Sequence, residues 1–210
     1  MSIQPADIIL IAIFLLIAFP VHEFAHAAVA YWQGDATAKL FGRMTLNPIV
    51  HFDPMGGMLT VISILLSPFL FGWAKPTPIN PANFRDRRNG EVIVSLAGPA
   101  SNLAMAVVGA IVVRILIAMQ VAVPPLMGTA LYYFVVFNVA LAIFNLIPVP
   151  PLDGSALLYR VLPPRQAWQI RPFLAQYGMF IVIAVVLFGG RLLGDVIFGI
   201  SRLLMGVGAG

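Results

Sequence analysis

Residues 8–32 read IILIAIFLLIAFPVHEFAHAAVAYW, and no side chain before His22 is charged or strongly polar. As a helix this stretch is roughly 37 Å long, enough to cross a hydrocarbon layer of about 30 Å. The residues ahead of it carry no Lys or Arg, and only Asp7 is charged. A cleaved leader starts with positive charge, so this segment is expected to stay in the chain as a membrane helix.

The rest of the chain continues the pattern. Residues 92–119, 130–147 and 173–188 are further apolar blocks of spanning length, the second stopped by Pro148, Pro150 and Pro151 and the last followed by a glycine-punctuated tail. A shorter block at 55–72, broken by Gly56, Gly57 and Ser67-Pro68, is able to span or to dip in and return. Over 210 residues, 60% are hydrophobic and only 10% charged. Soluble domains carry about a quarter charged residues, so a soluble fold is excluded. The expected fold class is an all-α polytopic membrane protein with four to five membrane segments, organised as one domain over 1–210. Residues 36–46, which mix Thr, Lys, Leu, Phe and Met around Gly42, suit a small β-hairpin, with a surface loop as the plainer alternative.

The chain has no cysteine. Disulfides, iron–sulfur clusters and thiolate zinc sites are therefore excluded, which leaves His, Asp and Glu as strong metal ligands. The net charge of +4 is a topology signal here, and no nucleic-acid partner is expected. In the first helix, His22-Glu23-Phe24-Ala25-His26 puts two imidazoles four residues apart on one face with a carboxylate beside the first. That spacing places two nitrogens on one metal ion and lets Glu23 take a proton from metal-activated water. Ionisable groups inside an apolar span are costly and function-bearing by default. A third protein ligand is wanted; Asp153 suits it best, in a proline-rich turn closed by Gly154 directly after a membrane helix. An ordinary loop aspartate is the plainer alternative.

Three ordered motifs, His22-Glu23-Phe-Ala-His26, Gly98-Pro99-Ala-Ser-Asn102 and Asn145-Leu-Ile-Pro-Val-Pro-Pro-Leu-Asp153-Gly154, resemble those of the site-2 proteases, the intramembrane zinc metalloproteases. Asn47-Pro-Ile-Val-His51-Phe-Asp53-Pro and Gly72-Trp-Ala-Lys75-Pro76 look like the compact bacterial and archaeal members. The resemblance implies one zinc held by His22, His26 and Asp153, with Glu23 activating water for peptide hydrolysis. Asn145 and Asn102 would then contact substrate backbone or the developing oxyanion, a charge that hydrogen bonds stabilise in a dry site. Helix–helix bonding is the alternative use of such asparagines. His51, a lone loop histidine, is not assigned as a ligand.

If Asp153 shares an ion with His22 and His26, residues 32 and 147 must face one side of the bilayer, which requires 55–72 to re-enter. Lys39, Arg43, Lys75, Arg85, Arg87, Arg88, Arg160, Arg165 and Arg171 then share the active-site side. The positive-inside rule makes that side cytoplasmic in a multi-pass plasma-membrane protein. His22 would lie about 15 Å along the helix from Trp32. Expected partners are the bilayer and single-span membrane substrates, whose helices must unwind locally to be cut. The 36–46 strand edge is expected to pair with the unwound stretch. A metal transporter using the same ligands is the competing function, set against by the uninterrupted apolar outer half of the first helix.

Overall fold

The computed structural model describes residues 5–56, 58, 75–87 and 89–207, without the side chains of 5–9, 11–13 and 15. Most of the 55–72 block, and with it the choice between spanning and re-entry, lies outside the described residues. The chain divides into two compact units, Met1–Gly90 and Glu91–Gly210.

The first unit is organised on α1 (Pro5–Trp32), which runs unbroken through Pro20. Two short helices, α2 (Thr37–Leu40) and α3 (Pro48–His51), pack against it. A 3-10 turn follows at Pro81–Asn83. Two Asn-Pro pairs start these elements in the same way. The Asn47 side chain accepts from the Ile49 N–H and that of Asn80 from the Ala82 N–H, each with proline at the first helical position. Asparagine satisfies an orphan donor, and the fixed φ of proline is already helical.

The β-hairpin expected at 36–46 is not formed, and no strand occurs among the described residues. The Asp35 carboxylate accepts from both the N–H and the Oγ1 of Thr37, which starts a helical turn instead. Gly42, at φ 66°, ends it: Gly42 N–H reaches the Lys39 carbonyl and Arg43 N–H the Ala38 carbonyl. This is the left-handed glycine stop of a helix, which consumes locally the donors a cross-strand ladder would need. The segment therefore offers no strand edge to a substrate.

In the second unit, α4 (Gly90–Ala118), α5 (Pro125–Asn145) and α7 (Pro164–Met205) are each long and apolar enough to cross a membrane. The short α6 (Ser155–Val161) leads into α7. Ala106 and Ala110 of α4, Val135 and Val139 of α5 and Met205 of α7 form one buried cluster, flanked by Ile143, Ile197, Ile200 and Leu204. Small residues bring the helices close: a Cβ on Gly109 would lie 2.8 Å from the Phe134 ring. Lipid supplies no hydrophobic drive between helices, so such contacts rest on close packing.

The tail after residue 188 is not an appendage. It continues α7 to Met205, and Ser201 and Met205 are among the most deeply buried residues of the unit. Arg114 donates to the Leu203 and Leu204 carbonyls at 2.7 and 2.5 Å. The last carbonyls of a helix lack intrahelical partners and carry its negative dipole end, so a guanidinium is well placed there.

Candidate metal centre and the residues around it

On α1, His22 and His26 are both 5% exposed, and their Nε2 atoms stand 3.0 Å apart. The rings meet edge to face, with centroids 4.6 Å apart. Two nitrogens sharing a tetrahedral zinc at about 2.0–2.1 Å lie roughly 3.3 Å from each other, so the donor pair fits one zinc with little movement. The i, i+4 spacing accounts for the convergence, since side chains one turn apart share a helical face.

Glu23 is held from outside its helix. Its Oε2 accepts from the Thr77 N–H at 2.8 Å, and Thr77 Oγ1 donates to the Glu23 carbonyl at 3.2 Å. Thr77 sits between Pro76 and Pro78, neither of which has an N–H, so the extended segment presents one amide donor here. Sequence reasoning missed this residue. The signal available was the Pro-Thr-Pro triplet just beyond Gly72-Trp-Ala-Lys75.

Beneath these groups lies a second polar knot. Asp35 is fully buried and accepts from Thr37, from the Asn80 N–H at 2.7 Å and from Asn83 Nδ2 at 2.8 Å. Burial by itself pushes its carboxyl up, but the bonds from Thr37, Asn80 and Asn83 together hold it below its ordinary value. Asp35→Ala would leave several buried donors without an acceptor and should lower stability by about 2–3 kcal/mol, read by thermal unfolding in detergent. Because the folded value is depressed, the ionic contribution is complete above the ordinary pKa of 3.8 and is lost as pH falls through the folded value. The gap in midpoint between parent and variant should therefore narrow below that pH, and a constant gap would count against the account. His51 is 2% exposed and bonded through Nε2 to the Thr45 carbonyl at 2.8 Å, while its Nδ1 has no partner among the described residues.

The remaining expected site residues belong to the second unit. Asp153 lies in the turn between α5 and α6. Ser95 Oγ donates to the Asp153 carbonyl, and the Gly154 N–H donates to the Asn145 carbonyl at 2.7 Å. Gly154 has an ordinary φ of −56°. Space is what demands glycine: a Cβ would stand 2.3 Å from the Leu146 carbonyl oxygen and 2.5 Å from that of Ile147. Asn145 Nδ2 donates to the Leu141 carbonyl one turn back, at 2.9 Å. Asn102 is fully buried and donates to Asn138 Oδ1 at 3.1 Å, and Asn138 in turn donates to the Phe134 carbonyl. That pair links α4 to α5. The structure thus brings His22, Glu23 and His26 together in one unit and gathers Asp153 and Asn145 around one turn of the other.

Comparison with known proteins gives a consistent result. The model of peptidase family M50 matches residues 115–189, which include the Asn145–Gly154 turn. "Putative zinc metalloprotease YwhC" of Bacillus subtilis (strain 168) is 38% identical over 158 residues, 73% of this chain and 69% of that protein. "Putative zinc metalloprotease Rip2" of Mycolicibacterium smegmatis (strain ATCC 700084 / mc(2)155) is 38% identical over 94 residues, 44% of this chain and 35% of that protein. No solved structure matches. An identity of this level over most of both chains, with a paired-histidine helix and membrane-length apolar helices, shows that the chain belongs to peptidase family M50, the site-2 protease family of membrane zinc metalloproteases.

Proposed function

We propose that this metalloprotease cuts peptide bonds in or near the transmembrane segments of single-span membrane proteins, with one zinc per chain held by His22, His26 and Asp153. The two compact units would act as one catalytic domain. The observation that carries the reading is the meeting of His22 and His26 Nε2 atoms at 3.0 Å beside a Glu23 carboxylate already aimed by the Thr77 amide. Zinc, when bound, supplies a Lewis acid that brings the pKa of water toward neutrality.

The chain's own residues supply the rest. Glu23 Oε2 is tied to Thr77, which leaves Oε1 to accept the proton of the attacking water and pass it to the leaving amine. Asn145 spends one amide hydrogen on Leu141 and retains a second, at the mouth of the turn that carries Asp153, for the developing oxyanion. Asn102 acts through Asn138, holding α4 and α5 in register beneath that turn. The nine basic residues from Lys39 to Arg171 that the sequence assigns to the active-site side support a cytoplasm-facing site in the plasma membrane.

The test is cleavage of a single-span reporter by the purified chain in lipid vesicles, with zinc measured on the same sample. A strong chelator should abolish cleavage and stoichiometric zinc restore it. Zinc flux across the vesicles without reporter cleavage would instead identify a transporter and overturn the proposal.

A further inference from the structure

Glu23 and the end of its helix are both tied to one later stretch of chain. Past Trp32, α1 closes with the Asp35 N–H on the Ala30 carbonyl at 2.9 Å and the Gly34 N–H on that of Tyr31 at 3.0 Å, with Gly34 at φ 107°. This pair of bonds around a left-handed glycine fixes the Asp35 backbone relative to α1. The Asp35 carboxylate then takes hold of the later stretch: Oδ2 accepts from the Asn80 N–H at 2.7 Å and Oδ1 from Asn83 Nδ2 at 2.8 Å. Next to them the Arg85 N–H donates to the Gln33 carbonyl at 2.7 Å. The two stretches pass so closely that a Cβ on Gly34 would stand 2.9 Å from the Asn83 carbonyl oxygen.

Glu23 lies about 15 Å back along the helix from Gln33. There Thr77 meets it twice, through the N–H on Oε2 and through Oγ1 on the Glu23 carbonyl. Between these two attachments runs Pro76-Thr77-Pro78-Ile79-Asn80-Pro81. Proline locks its own φ and holds the residue before it extended, so Thr77 and Asn80 are restricted as well; Asn80 stands at φ −113°, ψ 99°. Such a proline-rich stretch is a semi-rigid spacer, about 10 Å long from Thr77 to Asn80. A displacement at Asn80 is therefore passed on to Thr77 and is not absorbed between them.

We propose that Asp35 is a positioning residue for Glu23: by clamping Asn80 and Asn83 to the end of α1, it sets the place of the Thr77 amide that aims the Glu23 carboxylate. Both ends of the coupling are anchored in one helix, and every bond in it lies within the first unit. With the clamp released, the strut shifts, the Thr77 N–H leaves Oε2, and the Glu23 carboxylate turns about its own side-chain bonds. A base that is misplaced by even an ångström loses much of its effect without any change in what binds. This role rests on the reading of Glu23 as the general base.

Three variants of the full chain test it. Asp35→Asn keeps the shape but sets an amide donor against the donors of the strut. Asn83→Ala removes one strut bond, and Thr37→Val, the control, removes only the hydroxyl bond that reaches the same carboxylate from α2. On the single-span reporter, Asp35→Asn should lower kcat by about 10–100-fold with KM and zinc content at parental values. Asn83→Ala should act in the same direction, and Thr37→Val should keep the parental kcat. A second readout needs neither zinc nor substrate. Pro76 and Pro78 have no N–H, so hydrogen exchange within Pro76-Thr77-Pro78 reports the Thr77 amide alone. It should speed up at least about tenfold in Asp35→Asn and Asn83→Ala and stay unchanged in Thr37→Val. If Asp35→Asn does not fold, Asn83→Ala carries both measurements. Unchanged Thr77 exchange, a parental kcat despite faster exchange, an equal loss in Thr37→Val, or a loss traced to KM or to zinc would each overturn the proposal. A zinc-loaded parent that cuts no reporter would sink the protease reading and this role with it, while Thr77 exchange would still show whether the clamp exists.

Discussion

Glu23→Gln should lower peptide hydrolysis by about 10²–10⁴-fold while leaving bound zinc unchanged. Glutamine matches the shape of glutamate and preserves an acceptor for the Thr77 N–H, which now bonds to Glu23 Oε2 at 2.8 Å. What it loses is the capacity to take a proton. His22 and His26 are a separate donor pair on the same helix, meeting at 3.0 Å, and the substitution adds no bulk near them. Zinc content by atomic absorption and cleavage of the single-span reporter, measured together, separate the two roles. Parent-like turnover would remove Glu23 as the base, and a simultaneous loss of zinc would make it part of the metal's environment.

The second large effect is expected at a residue far along the chain. Asp153→Ala should weaken zinc binding by more than the 10–100-fold typical of removing an outer hydrogen-bond partner, since a ligand itself is lost. Two imidazoles alone leave zinc one protein ligand short of a catalytic site. The turn is built to hold a carboxylate still: Ser95 grips the Asp153 carbonyl, Gly154 bonds to Asn145, and no larger residue than glycine clears the Leu146 and Ile147 carbonyls. Asp53→Ala is the matched control, because among the described residues Asp53 caps the amides of Met55 and Gly56. Equilibrium zinc titration should show a loss for Asp153→Ala alone. Equal affinity in parent and Asp153→Ala would remove Asp153 from the ligand set.

Membrane character, helical class and the two histidines could be read without coordinates because each rests on a local quantity. Apolar run length decides whether a helix can span, and a separation of four decides that two side chains share a face. The same local logic failed at residues 36–46. There Gly42 suits a hairpin turn and a helix stop equally well, and the deciding influence is Asp35, whose carboxylate is fixed by Asn80 and Asn83 some 45 residues later. Thr77 escaped notice for a related reason. The Pro-Thr-Pro triplet marks a lone amide donor but not its acceptor, and Glu23 is 54 residues away.

The amino-acid order alone therefore determined that the chain lives in a bilayer and that His22 and His26 converge, since each follows from the local run of residues. Tertiary structure decided which charges have partners. Arg114 closes the end of α7, the tail to Met205 is core, and Arg191 and Asp195 are exposed. Those outcomes depend on how far one helix runs alongside another, and that length is set by packing between residues distant in the chain.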